Sequence, residues 1–278
     1  MHKRKEDQIM IKRPQPLSPL PRQMPQKRAR LPVMALALLI VLSCVYVRAL
    51  PGAASVLSPK RELPIYSVAR DDNVIAISFD AAWGGDKTLA ILDILDRYDI
   101  KTTFFLVDIW TQRFPELVKE IAARGHEIGN HSTTHAHMSK QSESEIVREL
   151  NVMADNVLAL TGTRPTLFRP PYGDYNDRVV TVSRAQGFEV IQWSVDSQDW
   201  KNRSVQDLIT RATKVQSGDI ILFHNDSKYI VEALPAVLDY YRAHGYKVVP
   251  VSDILISGET TIDIQGKQHP TSTKIPEV

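Results

Sequence analysis

The stretch Gly129-Asn130-His131-Ser132-Thr133-Thr134-His135 places two histidines four apart after a short apolar segment. On one helical turn, positions i and i+4 share a face, so both imidazoles could reach a single metal ion. The spacing alone is weak, since two unrelated surface histidines can fall at the same separation. Other reactive side chains recur where apolar segments end: Asp80, Arg169 ahead of Pro170-Pro171-Tyr172-Gly173, Asp196, Asp199 with Trp200, and Phe223-His224. A solvated loop face would also be polar, but it would not need this mixture of imidazoles, carboxylates and a guanidinium. The mixture suits metal-assisted hydrolysis of an acyl bond. A metal polarises the carbonyl and activates water, a carboxylate takes the water's proton, and an imidazolium returns one to the leaving group.

Such side chains need a scaffold that brings strand ends together. From Asn73 the sequence alternates between short apolar runs and helical patterns. Strands are expected over 74–79, 102–107, 126–129, 166–168, 188–195, 219–223 and 247–251. Helices are expected over 87–98, 115–124, 142–160, 177–186, 205–215 and 229–244, with Pro115 in a first turn and Gly125 just past a last one. Seven strands separated by helices argue for a parallel sheet, open or closed into a barrel, with its chemistry at the carboxyl ends of the strands. Trp83-Gly84-Gly85-Asp86 after the first strand is not a phosphate-binding glycine fingerprint, which disfavours a nucleotide fold.

The 278-residue chain has a net charge of +2, but the charge is unevenly spread. Residues 1–30 hold nine Lys/Arg against Glu6 and Asp7, a net +7 that leaves −5 for the rest. No nucleic-acid partner is therefore expected for the folded part. The single cysteine, Cys44, excludes an intrachain disulfide framework and a Cys-based zinc site. Residues 1–30 read as a basic, disordered cytoplasmic tail, and 31–48 as a transmembrane signal-anchor that places the remainder outside the membrane. Cleavage near Gly52-Ala53-Ala54 and acylation of Cys44 are the competing fates. Residues 49–68 read as a linker, 69–257 as the catalytic domain and 258–278 as a polar, poorly ordered tail.

Several residues have ordinary readings. His126-Glu127 and His131 miss the zincin spacing by one residue. His137 and His244 are expected on the surface, and Trp110 and Trp193 in packing. Ser132 lacks the ordered partners of a nucleophilic serine.

Ser78-Phe79-Asp80, His131-Ser132-Thr133-Thr134-His135, Arg169-Pro170-Pro171-Tyr172-Gly173, Asp199-Trp200 and Leu222-Phe223-His224 resemble, in order, the five motifs of the polysaccharide deacetylases. These are the NodB-homology or carbohydrate esterase family 4 proteins, and the likeness covers about residues 70–255. The loop Ala81-Ala82-Trp83-Gly84 and the amino-terminal anchor look most like the sporulation-associated branch. The resemblance implies a distorted (β/α) barrel and removal of N-acetyl groups from amino sugars of peptidoglycan or a chitin-like polymer. It implies Asp80 as general base, His131 and His135 as ligands of a divalent metal (zinc, or else cobalt or manganese), and Arg169 as the group orienting the base. The Tyr172 amide would hold the oxyanion, Asp199 would tune the general acid His224, and Trp200 and Leu222 would wall the acetyl pocket.

One position departs from the family. The metal-binding aspartate that usually follows the base is here Ala81. Asp86 is either its substitute or an N-cap for the helix at Lys87. The alternative to a membrane-anchored deacetylase is thus a glycan-binding pseudoenzyme. A metal-dependent amidohydrolase with a small-molecule substrate is a third class.

Overall fold

The computed structural model describes residues 36–43 and 61–271. Residues 36–43 are helical. The rest of the expected 31–48 span, the basic stretch before it, Cys44 and the 52–54 cleavage site lie outside the described residues. Among the described residues no helix is long and apolar enough to cross a membrane. The chain divides into compact units Met1–Lys60 and Arg61–Val278, and the second carries the strands.

In chain order this unit runs through β1 (Ser67–Val68), β2 (Val74–Ala81), α1 (Thr88–Arg97), β3 (Thr103–Leu106), α2 (Asp108–Arg113), α3 (Pro115–Ala123) and β4 (Glu127–Asn130). It continues with α4 (Glu143–Thr161), β5 (Leu167–Phe168), α5 (Asp177–Ala185), β6 (Glu189–Val190), β7 (Val195–Asp196), α6 (Val205–Ala212) and β8 (Ile220–His224). The last elements are α7 (Ile230–Ala243), β9 (Lys247–Val249), α8 (Val251–Ile254), β10 (Thr260–Ile262) and β11 (Lys267–Pro270).

The main sheet is parallel throughout, in the order β6-β5-β4-β3-β2-β8-β7. β9 pairs with residues 74–76 of β2, and β3 with residues 78–81. The two share one side of β2 end to end. β2 is buried along its whole length, as a central parallel strand covered on both faces must be. Side-chain alternation then sorts its residues. Phe79 stacks between its register partners Phe104 and Phe223, with centroids 5.0 and 5.5 Å away, in the core that includes α1 and α7. One residue on, Asp80 is in register with Phe105 and His224, and Phe105 with Gly129. This second row carries the chemistry.

Two expectations need correction. The strand expected over 188–195 is two strands, β6 and β7, on opposite edges of the sheet. The chain between them crosses from one edge to the other, with Gln192 buried and Ile191 bridged to Ile65. Nor is the stretch from 258 an unstructured tail as far as it is described. β10 and β11 form an antiparallel hairpin, and β11 pairs in parallel with β1, from the end of the expected linker. Ser67 also bridges Asp219 ahead of β8. Residues 65–68 therefore touch both sides of the gap between β6 and β7 and act as a seam along it.

Candidate active site

The carboxyl ends of β2, β4, β5, β7 and β8 surround a cavity of about 520 Å³ lined by Asp80, Trp83, His131, His135, Tyr172, Trp193, Asp196, Trp200, Leu222, His224 and Asp226, among others. Arg169 and Asp199 stand directly behind it, bonded to Asp80 and His224. Every residue to which the family resemblance gives a catalytic, substrate-binding or metal-ligating role is thus in this cavity or one bond from it.

The histidine pair is not on a helical turn. β4 ends at Asn130, and residues 131–137 form a loop in which Ser132 and His135 adopt left-handed φ of 70° and 58°. Side chains replace the helical hydrogen bonds there. Asn130 Oδ1 accepts from the Ser132 amide and Ser132 Oγ accepts from the His135 amide. The buried Glu149 carboxylate of α4 accepts from the amides of Thr133 and Thr134 and from the Thr134 hydroxyl. The two rings end 5.1 Å apart between centroids.

The base sits on a stack of packed groups. Gly129 leaves room for the Phe105 ring, since a Cβ there would fall 2.4 Å from Phe105 Cδ1. The Arg169 guanidinium lies 4.1 Å from the Phe105 centroid and donates to Asp80 Oδ1 at 2.8 Å. Arg169 is fully buried. Burial alone would push the Asp80 carboxyl up, but Arg169, with His131 and His224, outweighs it and holds the carboxyl below its ordinary range. Asp80 is therefore ionised at neutral pH, as a base must be.

His224 is tuned the opposite way. Its Nδ1–H donates to Asp199 Oδ1 at 2.8 Å, and its backbone amide donates to Asp199 Oδ2 at 2.8 Å. Burial would depress the imidazole, but the Asp199 carboxylate prevails and raises it above the ordinary histidine value. Nε2 is left to face the cavity as an acid. Tyr172 adopts a left-handed φ of 60°. The hydrogen bonds of its turn are donated by Gly173 and Asp174, not by Tyr172.

A divalent cation would need His131 and His135 as ligands. Burial depresses both imidazoles, His135 to about 4, so both are neutral at pH 7 and have lone pairs to give. His131 Nδ1–H donates to the Arg169 carbonyl, which turns the Nε2 lone pair toward Asp80 Oδ2 at 3.4 Å. His135 Nδ1 is buried with no partner. The geometry has the start of a site, but the charge falls short. Among the described residues no three His, Cys, Asp or Glu side chains gather closely enough to hold a metal. Ala81 is buried, and Asp86 is exposed and outside the cavity. Asp86 is not the helix cap either, for Lys87 occupies that position and no side chain caps α1. The residues present do not fit a complete metal site, because Asp80 cannot be ligand and free base at once.

Sequence reasoning passes over Trp83 and Asp226 as cavity residues and gives Tyr172 a role only through its amide. Trp83, 60% exposed, packs edge-on to His135, while Tyr172, 59% exposed, lies between His135 and His137. Asp226, two residues past His224, accepts from the Gly84 amide and ties the β2 loop to the β8 loop. Trp193, expected only in packing, walls the cavity. Aromatic residues next to acid-base motifs are the signal that could have found the two tryptophans.

Residues 67–191 match the family model for polysaccharide deacetylase, and the chain belongs to that family. A peptidoglycan-N-acetylglucosamine deacetylase of Bacillus cereus is 34% identical over 196 residues, which are 68% of this chain and 92% of that one. The peptidoglycan-N-acetylglucosamine deacetylase PgdA of Listeria monocytogenes is 32% identical over 69% of this chain, which spans only 41% of that longer protein. Among solved structures, BA3943 of Bacillus anthracis, described as a carbohydrate esterase family 4 pseudoenzyme, superposes with a TM-score of 0.67 at 32% identity, covering 72% of this chain and 70% of that one. A mutant of the same protein is described as having restored enzymatic activity.

Proposed function

We propose that the protein removes N-acetyl groups from amino sugars of peptidoglycan at the outer face of the cell membrane, held there by residues 31–48. One observation carries the reading: a single cavity contains a carboxylate held ionised by Arg169 and an imidazole held protonatable by Asp199. Two groups pushed apart in this way divide the roles of base and acid. Asp80 Oδ2 takes the proton of the attacking water. The Tyr172 amide donates to the oxygen that gains charge. His224 Nε2–H protonates the departing amine, and Asp199 keeps the ring oriented while it cycles. Trp200 and Leu222 face the acetyl group, and Trp83 and Tyr172 offer ring faces to the sugar.

Ala81 favours a second reading, a glycan-binding protein without turnover, and the similarity to a pseudoenzyme supports it. Acetate release from acetylated peptidoglycan fragments, with and without added divalent metal, separates the two. The catalytic reading expects release that falls about 10²-fold or more in Asp80→Asn. No release from the metal-supplemented protein, together with retained glycan binding, would leave only the second. For location, the full chain is expected in the membrane fraction after alkaline washing, and a chain lacking 31–48 in the soluble one. The opposite distribution would sink the anchor.

A further inference from the structure

A second cavity, of about 540 Å³, opens in the gap between β6 and β7. Its walls are the seam at Tyr66 and Ser67, the edge residues Trp193 to Val195, the loop from Lys214 to Asp219, and the hairpin at Gln265 and Lys267. Its volume lies in the range of small-ligand sites and matches that of the catalytic cavity. Two lysines face one carboxylate in the lining, so its charge is net positive. Asp219 has both oxygens committed, Oδ1 to the Ser194 hydroxyl and Oδ2 to the Gln216 amide, each at 2.8 Å. Among the described residues, neither Lys214 nor Lys267 has a carboxylate partner. Two lysines without carboxylate partners, side-chain amides and an indole among the lining residues suit a carboxylate on a small or sugar-like body.

Trp193 is common to both cavities. Its ring centroid is 5.7 Å from the Arg169 guanidinium carbon, and its ring lies against Gly173, where a Cβ would come within 3.2 Å. Anything seated in the second cavity therefore presses on the residue that backs Arg169 and the Tyr172 turn. We propose that the gap between β6 and β7 is a second binding site, for a carboxylate-bearing ligand, separated from the catalytic cavity by Trp193. The site goes beyond the deacetylase reading and does not depend on turnover.

The carboxylate has two available sources: free acetate, and the lactyl carboxylate of a muramic-acid-type sugar in peptidoglycan. Calorimetric titration of the full chain with acetate, with N-acetylmuramic acid and with uncharged N-acetylglucosamine tests the site and tells the sources apart. Saturable one-to-one binding of at least one carboxylate is expected, weakened tenfold or more in Lys214→Gln/Lys267→Gln. It should be retained in the corresponding double arginine variant and unchanged in Asp80→Asn. Acetate alone binding assigns the site to a small anion, and the muramic sugar alone assigns it to the wall polymer. No saturable binding of either carboxylate would overturn the proposal, as would binding that the Lys→Gln pair leaves intact. Because no turnover is needed, a catalytically silent protein would leave this test standing.

Discussion

His224 and His126 show how opposite environments act on the same ionisable group, the imidazole. At His224 the Asp199 carboxylate favours the charged form, and the imidazole must be protonated to act as the acid. In a pH profile of acetate release the high-pH limb therefore falls as His224 loses its proton. Asp199→Asn removes the stabilising charge, so that limb should move to lower pH; a limb that stays in place would separate Asp199 from the acid's tuning. His126 is buried and accepts the Thr102 amide at Nδ1, and burial lowers it from the ordinary 6.5 to about 4. Between those values the unfolded chain binds the proton that the folded one refuses, so stability falls with decreasing pH across this window and levels off below about 4. Urea unfolding at pH 7.5 and pH 4.5 should show a loss on the order of 2 kcal/mol from this residue. His126→Asn, which keeps an acceptor for Thr102, should flatten the dependence. The reactive residues are legible in the sequence because each stands at a strand end. Asp226 is not, since its partner Gly84 is distant in the chain.

Among the elements, the long apolar strands are the easiest to read. β2, β3 and β8 have enough buried side chains to declare themselves locally. The six expected helices also form, within a few residues at their ends. α4 is well marked, with Ser142 and Glu145 in a capping box and Gly162 in a left-handed turn at its end. β6 and β7 cannot be separated by pattern. An apolar run interrupted by Gln192 and Trp193 looks like one strand until partners on opposite edges divide it. β10 and β11 escape a local reading because they bury little of their own and owe their order to β1, nearly two hundred residues earlier. Gly218 shows how tightly that order is built. It sits at φ +86°, its carbonyl accepts from the Val68 amide, and a Cβ would fall 1.9 Å from the Val68 carbonyl oxygen. Gly218→Ala should cost about 3 kcal/mol or more, combining backbone strain with a clash that only displacement of β1 relieves. Chemical denaturation would measure the loss, and protease sensitivity should rise first near residue 67. A variant as stable as the parent would mean that the seam bears no load.

At the scale of the whole molecule, the barrel is completed by a strand from outside the stretch that carries the motifs. Pattern alone bounds the catalytic domain at 69–257, whereas the compact unit begins at Arg61. Tyr66 and Ser67 of the seam also form one wall of the second cavity. Local sequence does not show this, because the seam is a pairing between the two ends of the unit. It has a mechanical consequence. The polypeptide ahead of Arg61 is covalently continuous with the seam, so tension applied there is borne first by the bridges at Ile65 and Ser67 and by the short β1–β11 ladder. The eight-stranded sheet is loaded only afterwards. Pulled from Arg61 against Ala243 in α7, the protein should lengthen first by at most roughly 45 Å as residues 61–73 peel away, at lower force than the rupture of β2 from β8. A single rupture with no such step would show that seam and sheet fail together. Two steps would make the gap between β6 and β7, and whatever occupies it, responsive to stretch.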